Sequence, residues 1–248
     1  VKNQEKMLNP TTVQLPKYLP LFDPDSFGEV SFYKEIEKIG YKQILLGGTG
    51  NGAMKRAIEA IHLHTNLSVT IIPSGPGDIF PTELVFLVAI MNSNSHYFRP
   101  FGSGSVACGV EIAQQGIPFI PVAYLILGDS TARWYTDADL IPNNKILLSY
   151  CQHTQMLGYK WLLLDYEGSS SIMNVELIKK IKKYIQINLM IINEFTPETA
   201  LQAIDAGVDT AITASDIYEE AQNPIQLARE FYDNLIAVET KSTLVTCM

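Results

Sequence analysis

Apolar and polar residues alternate along this chain in two distinct periods. Tyr18 to Phe22 is an apolar run that stops at Asp23-Pro24-Asp25, which reads as a buried strand ended by a residue that cannot continue a ladder. Glu29 to Ile39 then carries Val30, Phe32, Ile36 and Ile39 at helical spacing, and Gly40 ends it. Gln43 to Leu46 predicts a second strand, followed by the glycine-rich run Gly47 to Gly52 and a helix over Ala53 to His64. Ser68 to Ile72 predicts a third strand, closed by Pro73-Ser74-Gly75-Pro76-Gly77.

The alternation then breaks. The stretch between this strand and the next, Leu84 to Ile90, is rich in Gly and Pro. It is too short for a crossover helix, which needs roughly a dozen residues or more. One helix is therefore expected to be replaced by a loop. The pattern resumes with a helix over Ser103 to Gln115, a strand over Ile117 to Leu127, a long loop from Gly128 to Asn144 and a helix over Lys145 to Leu157. Trp161 to Leu164 and a helix over Asn174 to Tyr184 follow. Next come Leu189 to Ile192, a helix begun by Thr196-Pro197, and Asp209 to Thr213. The closing helix runs from Ile217 to Ala237, with a break expected at Pro224.

Eight strands alternating with seven helices predict an α/β fold, a (β/α)8 TIM barrel lacking its third helix; a doubly wound sheet is the alternative. The predicted organisation is an arm over residues 1–17 across the barrel bottom, one domain over 18–240 and a tail over 241–248. In a barrel all strand C-termini share one rim, where active sites lie. That rim would gather Asp23, Asp25, Thr49, Ser74, Asn92, Tyr124, Asp165, Tyr166, Glu167, Asn193 and Ser215.

Composition narrows the chemistry. The 248 residues are 47% hydrophobic and 18% charged, with a net charge of −8, an ordinary globular composition that argues against a nucleic-acid surface. Cys108, Cys151 and Cys247 are far apart and odd in number, so no disulfide framework or metal spacing follows and a reducing cytoplasm is expected. Apolar runs are strand-length, so lipid contact, including peripheral membrane contact, would come through a pocket or surface groove.

On the rim, Asp23 and Asp25 form a ready site for a hard cation such as Mg²⁺, or a helix cap. Gly47, Gly48 and the glycines beyond them could cradle phosphate or make a tight turn. Asp165 and Glu167 lie two apart and would share a strand face, where one could accept a proton from a substrate hydroxyl, or both simply solvate the rim. Trp134 and Tyr135 read as a packed lid or a binding platform. Carboxylates without a clear basic clamp, beside apolar strands, suggest a metal-bridged diphosphate leaving group at a greasy channel.

Phe22-Asp23-Pro24-Asp25, Leu46-Gly47-Gly48-Thr49, Ile72 to Pro76, Met91-Asn92-Ser93, Ile120 to Ile126, Trp134 with Asp137-Ala138 and Ile141-Pro142, and Leu163-Leu164-Asp165 occur in this order. In that order the chain resembles the geranylgeranylglyceryl phosphate synthase family and its bacterial heptaprenyl relatives, from about Leu21 to Asp233. The resemblance implies a Mg²⁺-dependent prenyltransferase moving a polyprenyl group from its diphosphate to the hydroxyl of a phosphorylated three-carbon acceptor. By it, Asp23 and Thr49 hold the metal and Asp165 polarises the acceptor hydroxyl. Asp25, Gly47, Gly48, Ser74, Asn92, Tyr124, Trp134, Tyr166, Gly168, Asn193, Ala214 and Ser215 are the substrate-binding candidates around them. It also implies a homo-oligomer, with a dimer expected.

The chain departs from the family at the acceptor phosphate site. Leu21 stands where a lysine is usual, Ile191-Ile192-Asn193 and Glu194 where a glycine run is usual, and Ala214-Ser215 where a glycine-containing pair is usual. Side chains at former glycines block close backbone approach to phosphate, and losing a lysine removes a cation. These departures resemble the branch that farnesylates 3-phosphoglycerate in moenomycin-type phosphoglycolipid biosynthesis. Farnesyl diphosphate and 3-phosphoglycerate are therefore the expected pair, with glycerol 1-phosphate, or a barrel that only binds its ligand, as alternatives.

Overall fold

The computed structural model describes residues 13–48, 52–168 and 174–236. Its strands are β1 (Tyr18–Phe22), β2 (Gln43–Gly47), β3 (Ser68–Ile72), β4 (Leu84–Ile90), β5 (Phe119–Ile126), β6 (Trp161–Asp165), β7 (Asn188–Asn193) and β8 (Thr210–Thr213). All pair in parallel in chain order, and β8 returns to β1 through Tyr18↔Ala211, Leu19↔Ile212 and Pro20↔Thr213. The sheet closes as a TIM barrel; the doubly wound alternative is excluded.

Helices cover the outside: α1 (Val30–Ile39), α2 (Ala53–His64), α3 (Ser103–Gln115), α4 (Thr131–Thr136), α5 (Asn144–Met156), α6 (Val175–Tyr184), α7 (Pro197–Asp205), α8 (Ser215–Glu220) and α9 (Pro224–Phe231). Between β3 and β4 the crossover helix is replaced by a loop holding one 3-10 turn, Pro76–Asp78. One expectation needs correcting. The loop from Gly128 to Asn144 contains α4, a six-residue helix too short to show a 3.6 period. It forms because Ser130 caps it, its side chain accepting the Arg133 N–H, and it ends at Asp137 with φ of 51°. The closing helix breaks at Pro224 as expected: Pro224 starts α9 afresh and Asn223 caps it.

Strand alternation separates two cores. Leu162 and Leu164 of β6 point outward to the helices, in one cluster with Tyr18, Phe22, Ile44, Leu46, Val69 and Ile71. Trp161 and Leu163 point inward, with Leu19, Leu45, Phe86, Val122, Met190 and Ile212. The inner cluster fills the barrel from below. Leu15 joins it and Val13 packs against it, and Pro16 O accepts the Thr210 hydroxyl at 2.9 Å. Among the described residues the lower interior of the barrel is therefore a packed plug, and its open space lies at the rim. Among the described residues no helix is long and apolar enough to cross a membrane.

Candidate active site

The same parity builds the site. Leu163 is inward, so Asp165 two residues later is inward as well, at the last position of β6. Register places Tyr124 of β5 beside Leu163 and Ile126 beside Asp165. The Tyr124 hydroxyl donates to Asp165 Oδ2 at 2.5 Å, and the Glu167 N–H donates to Oδ1 at 2.9 Å. Asp165 is 1% exposed. Burial pushes its carboxyl up to about 6, against the lowering effect of those two hydrogen bonds.

Across the rim, Asp23 follows β1. Its N–H donates to Ser215 Oγ at 3.0 Å, and its Oδ1 accepts the Asp25 N–H at 2.9 Å. Ser215 Oγ in turn donates to Glu219 Oε1 at 2.7 Å, which ties β1 to the start of α8. Burial raises the Asp23 carboxyl above its usual range, and Asp25, Glu219 and Asp216 add to the rise.

These groups share one cavity of about 280 Å³. Asp23, Gly47, Gly48, Ser74, Tyr124, Asp165, Glu167, Ser215 and Asp216 supply its polar lining. Leu21, Ile72, Val88, Ile90, Phe98, Ala132, Tyr135 and Ile192 supply its apolar lining. No lysine or arginine lines it among the described residues. Burial, then the charges of Asp165, Asp216, Glu194 and Glu219, push Glu167 up to about 8.

Asp23 suits a divalent cation of the kind held by one carboxylate plus substrate phosphates. A Cβ on Gly48 would fall 2.7 Å from Asp23 Oδ1, so only glycine leaves the carboxylate face clear. Among the described residues no group of three or more His, Cys, Asp or Glu is arranged to hold a metal alone. Thr49, the other residue expected at the metal, lies outside the described residues.

Several expected binding residues do not line this cavity. Asp25 is exposed and borders a small adjoining cleft that it shares with Asp23, Gly48, Met54 and Asp78. Tyr166 points outward by strand parity and borders a cleft with Leu147 and Leu177 beneath the helices. Asn193 is outward by the same rule, since Met190 and Ile192 are its inward neighbours. Ala214 is inward but wholly buried within the inner core, and its N–H donates to Asn193 O.

Gly168 takes φ of +67° and donates its N–H to Glu194 Oε1 at 3.0 Å. Trp134 is 72% exposed and lies under the Arg133 guanidinium, whereas Ala132, Tyr135 and Thr136 of the same helix reach the cavity. Asn92 is a buried clip, not a ligand group. Its Nδ2 donates to Ile126 O and Asp139 O, each at 2.8 Å, and its Oδ1 accepts the Ile126 N–H. It thereby holds the loop carrying α4 against β5. Sequence reasoning passed over Ile72, Val88 and Ile90 as lining residues, although inward parity on β3 and β4 marks them; Asp216 carries no such signal.

Fold and rim together define a (β/α)8 barrel enzyme. The chain belongs to the PcrB family, whose match spans residues 11–232. With its relatives, that makes it a prenyltransferase. It is 26% identical over 230 residues to the geranylgeranylglyceryl phosphate synthase of Metallosphaera sedula, covering 86% of this chain and 88% of that one. It is 28% identical over 194 residues to the same synthase of Thermococcus sibiricus, covering 74% and 75%. The crystal structure of (S)-3-O-geranylgeranylglyceryl phosphate synthase from Thermoplasma acidophilum, in complex with its substrate sn-glycerol-1-phosphate, superposes with a TM-score of 0.76 at 25% identity. That superposition covers 91% of this chain and 94% of the other.

Proposed function

We propose that this chain moves a prenyl group from a polyprenyl diphosphate to the hydroxyl of a phosphorylated three-carbon acceptor, with glycerol 1-phosphate as that acceptor. The observation that carries the reading is one cavity with three surfaces. Asp23 opens onto Gly48 on one side, Asp165 and Glu167 stand on another, and Ile72, Val88, Ile90 and Tyr135 supply an apolar wall. The diphosphate sits over the Asp23–Gly48 edge. The prenyl chain lies on the apolar wall, which excludes water from the reacting carbon. The acceptor hydroxyl meets the carboxylates of the β6 end, where its proton leaves. Mg²⁺ held at Asp23, with Thr49 as the expected second ligand, would offset the charge of the departing diphosphate.

The relatives' acceptor is also the better electrostatic choice. A 3-phosphoglycerate molecule brings a further carboxylate to a wall that already carries Asp165, Glu167 and Asp216. Like charges at such a site cost free energy, so charge favours the acceptor without the carboxylate. Labelled farnesyl and geranylgeranyl diphosphates, offered with Mg²⁺ and either glycerol 1-phosphate or 3-phosphoglycerate, test this. Product with glycerol 1-phosphate is expected. Product only with 3-phosphoglycerate would replace the acceptor, and no product with any pair would leave a ligand-binding barrel.

A further inference from the structure

Asp165 and Glu167 face the same cavity but are engaged to different degrees. Each oxygen of Asp165 already holds a donor, Tyr124 on one and the Glu167 N–H on the other. Glu167 stands beyond the strand end with a longer side chain, partly buried, and lines the cavity. Its carboxylate accepts no hydrogen bond and forms no ion pair among the described residues. Its backbone, by contrast, is fixed. The N–H is spent on Asp165, and a Cβ on Gly128 would fall 1.8 Å from Glu167 O, so the loop after β5 packs directly on it. A fixed backbone with an unengaged carboxylate aimed into a cavity is the arrangement a proton acceptor requires.

We propose that Glu167 receives the proton of the acceptor hydroxyl, and that Asp165, locked by Tyr124, positions the Glu167 backbone. The assignment rests on the prenyl-transfer reading. In the step, the acceptor O–H bond breaks and its oxygen bonds to the first carbon of the prenyl group. The carbon–oxygen bond to diphosphate breaks with its electron pair leaving on the diphosphate, and the proton ends on Glu167.

The groups facing Glu167 are Asp165 from β6, Glu194 after β7, and Asp216 and Glu219 from α8. On the β5 side stands Asp129, already paired with Arg133 at 2.6 Å. This acidic surround, added to burial, pushes Glu167 up to about 8, so the ionised, proton-accepting form gains population through that pH.

The test is the rate of transfer against pH for the full chain with labelled prenyl diphosphate, Mg²⁺ and acceptor. Wild type is expected to show a rising limb near pH 8. Glu167→Gln is expected to lose about 10²-fold or more and to lose the limb. Glu167→Asp, with the charge kept on a shorter arm, is expected to retain the limb at reduced rate. A limb that persists in Glu167→Gln, or in Glu167→Ala if the amide variant does not fold, overturns the assignment while leaving prenyl transfer standing. A wild type inactive with every donor and acceptor overturns both.

Discussion

The cavity's two walls come from opposite sides of the barrel and follow opposite rules. The wall from β1, β6 and α8 carries Asp23, Asp165, Glu167, Ser215 and Asp216. The wall from β3, β4 and α4 carries Ile72, Val88, Ile90, Ala132 and Tyr135, with Phe98 from the loop after β4. On the acidic wall two carboxylates are tied to neighbours, Asp23 to the Asp25 N–H and Asp165 to Tyr124, and Ser215 is held by Glu219 behind the wall. On the apolar wall the contacts are between rings, as with Phe98 and Tyr135 at 5.0 Å. The missing helix between β3 and β4 lies on the apolar side. On the proposed reading one wall manages charge and the other holds the hydrocarbon, so damage to each should register in different kinetic constants.

The largest effect is expected from Asp23→Asn. The amide keeps shape but removes the charge that would hold a cation against the diphosphate, so transfer should fall by about 10³-fold or more with the circular dichroism spectrum unchanged. Excess chelator should do the same to wild type. Activity within threefold of wild type in either experiment would break the division between the walls.

Tyr124→Phe is expected next. It removes the hydroxyl donated to the ionised Asp165, a charge-assisted bond worth roughly 1.5–3 kcal/mol. The sign follows from the shift. Asp165 is raised to about 6 in the folded chain, so its contribution to stability is lost as pH rises from its unfolded value toward 6. The Tyr124 hydroxyl opposes that rise. Without it the folded value climbs further, so the thermal midpoint of Tyr124→Phe should sit close to wild type near pH 4.5 and fall below it increasingly toward pH 7. A deficit independent of pH would show that Tyr124 acts only through packing.

Much of this was legible beforehand, and the reasons are specific. The spans Ala53–His64, Ser68–Ile72, Leu84–Ile90 and Ser103–Gln115 stand as read, because each has a clean period and a clear stop. The missing helix was legible from spacing alone. Within the site, Asp165 and Tyr124 could be placed inward by counting in twos from the apolar strand cores. The same count excludes Tyr166 and Asn193, which their rim position alone had suggested. Asn92 misled because a polar residue at a strand end looks the same whether it clips a loop or meets a ligand. The acceptor was the least legible feature. Departures at Leu21, Asn193 and Ala214 point to a changed phosphate site, and the proposed choice of acceptor rests on the assembled wall, with Glu167 and Asp216 on it.

The smallest effects should come from adjacent residues of α4, and they separate its cavity face from its solvent face. Tyr135 lines the cavity and meets Phe98, whereas Trp134, one position away, turns outward beneath Arg133. An aromatic pair is worth roughly 0.5–1.5 kcal/mol beyond its buried area. Tyr135→Ala should therefore raise KM for the prenyl diphosphate by about 2- to 12-fold with little change in kcat, because the lost contact holds the chain equally before and during reaction. Trp134→Ala removes a ring that is 72% exposed and should leave both constants within about twofold. A larger KM change in Trp134→Ala than in Tyr135→Ala would mean that α4 rotates or closes when the donor binds. The apolar wall would then be assembled by the substrate instead of standing ready for it.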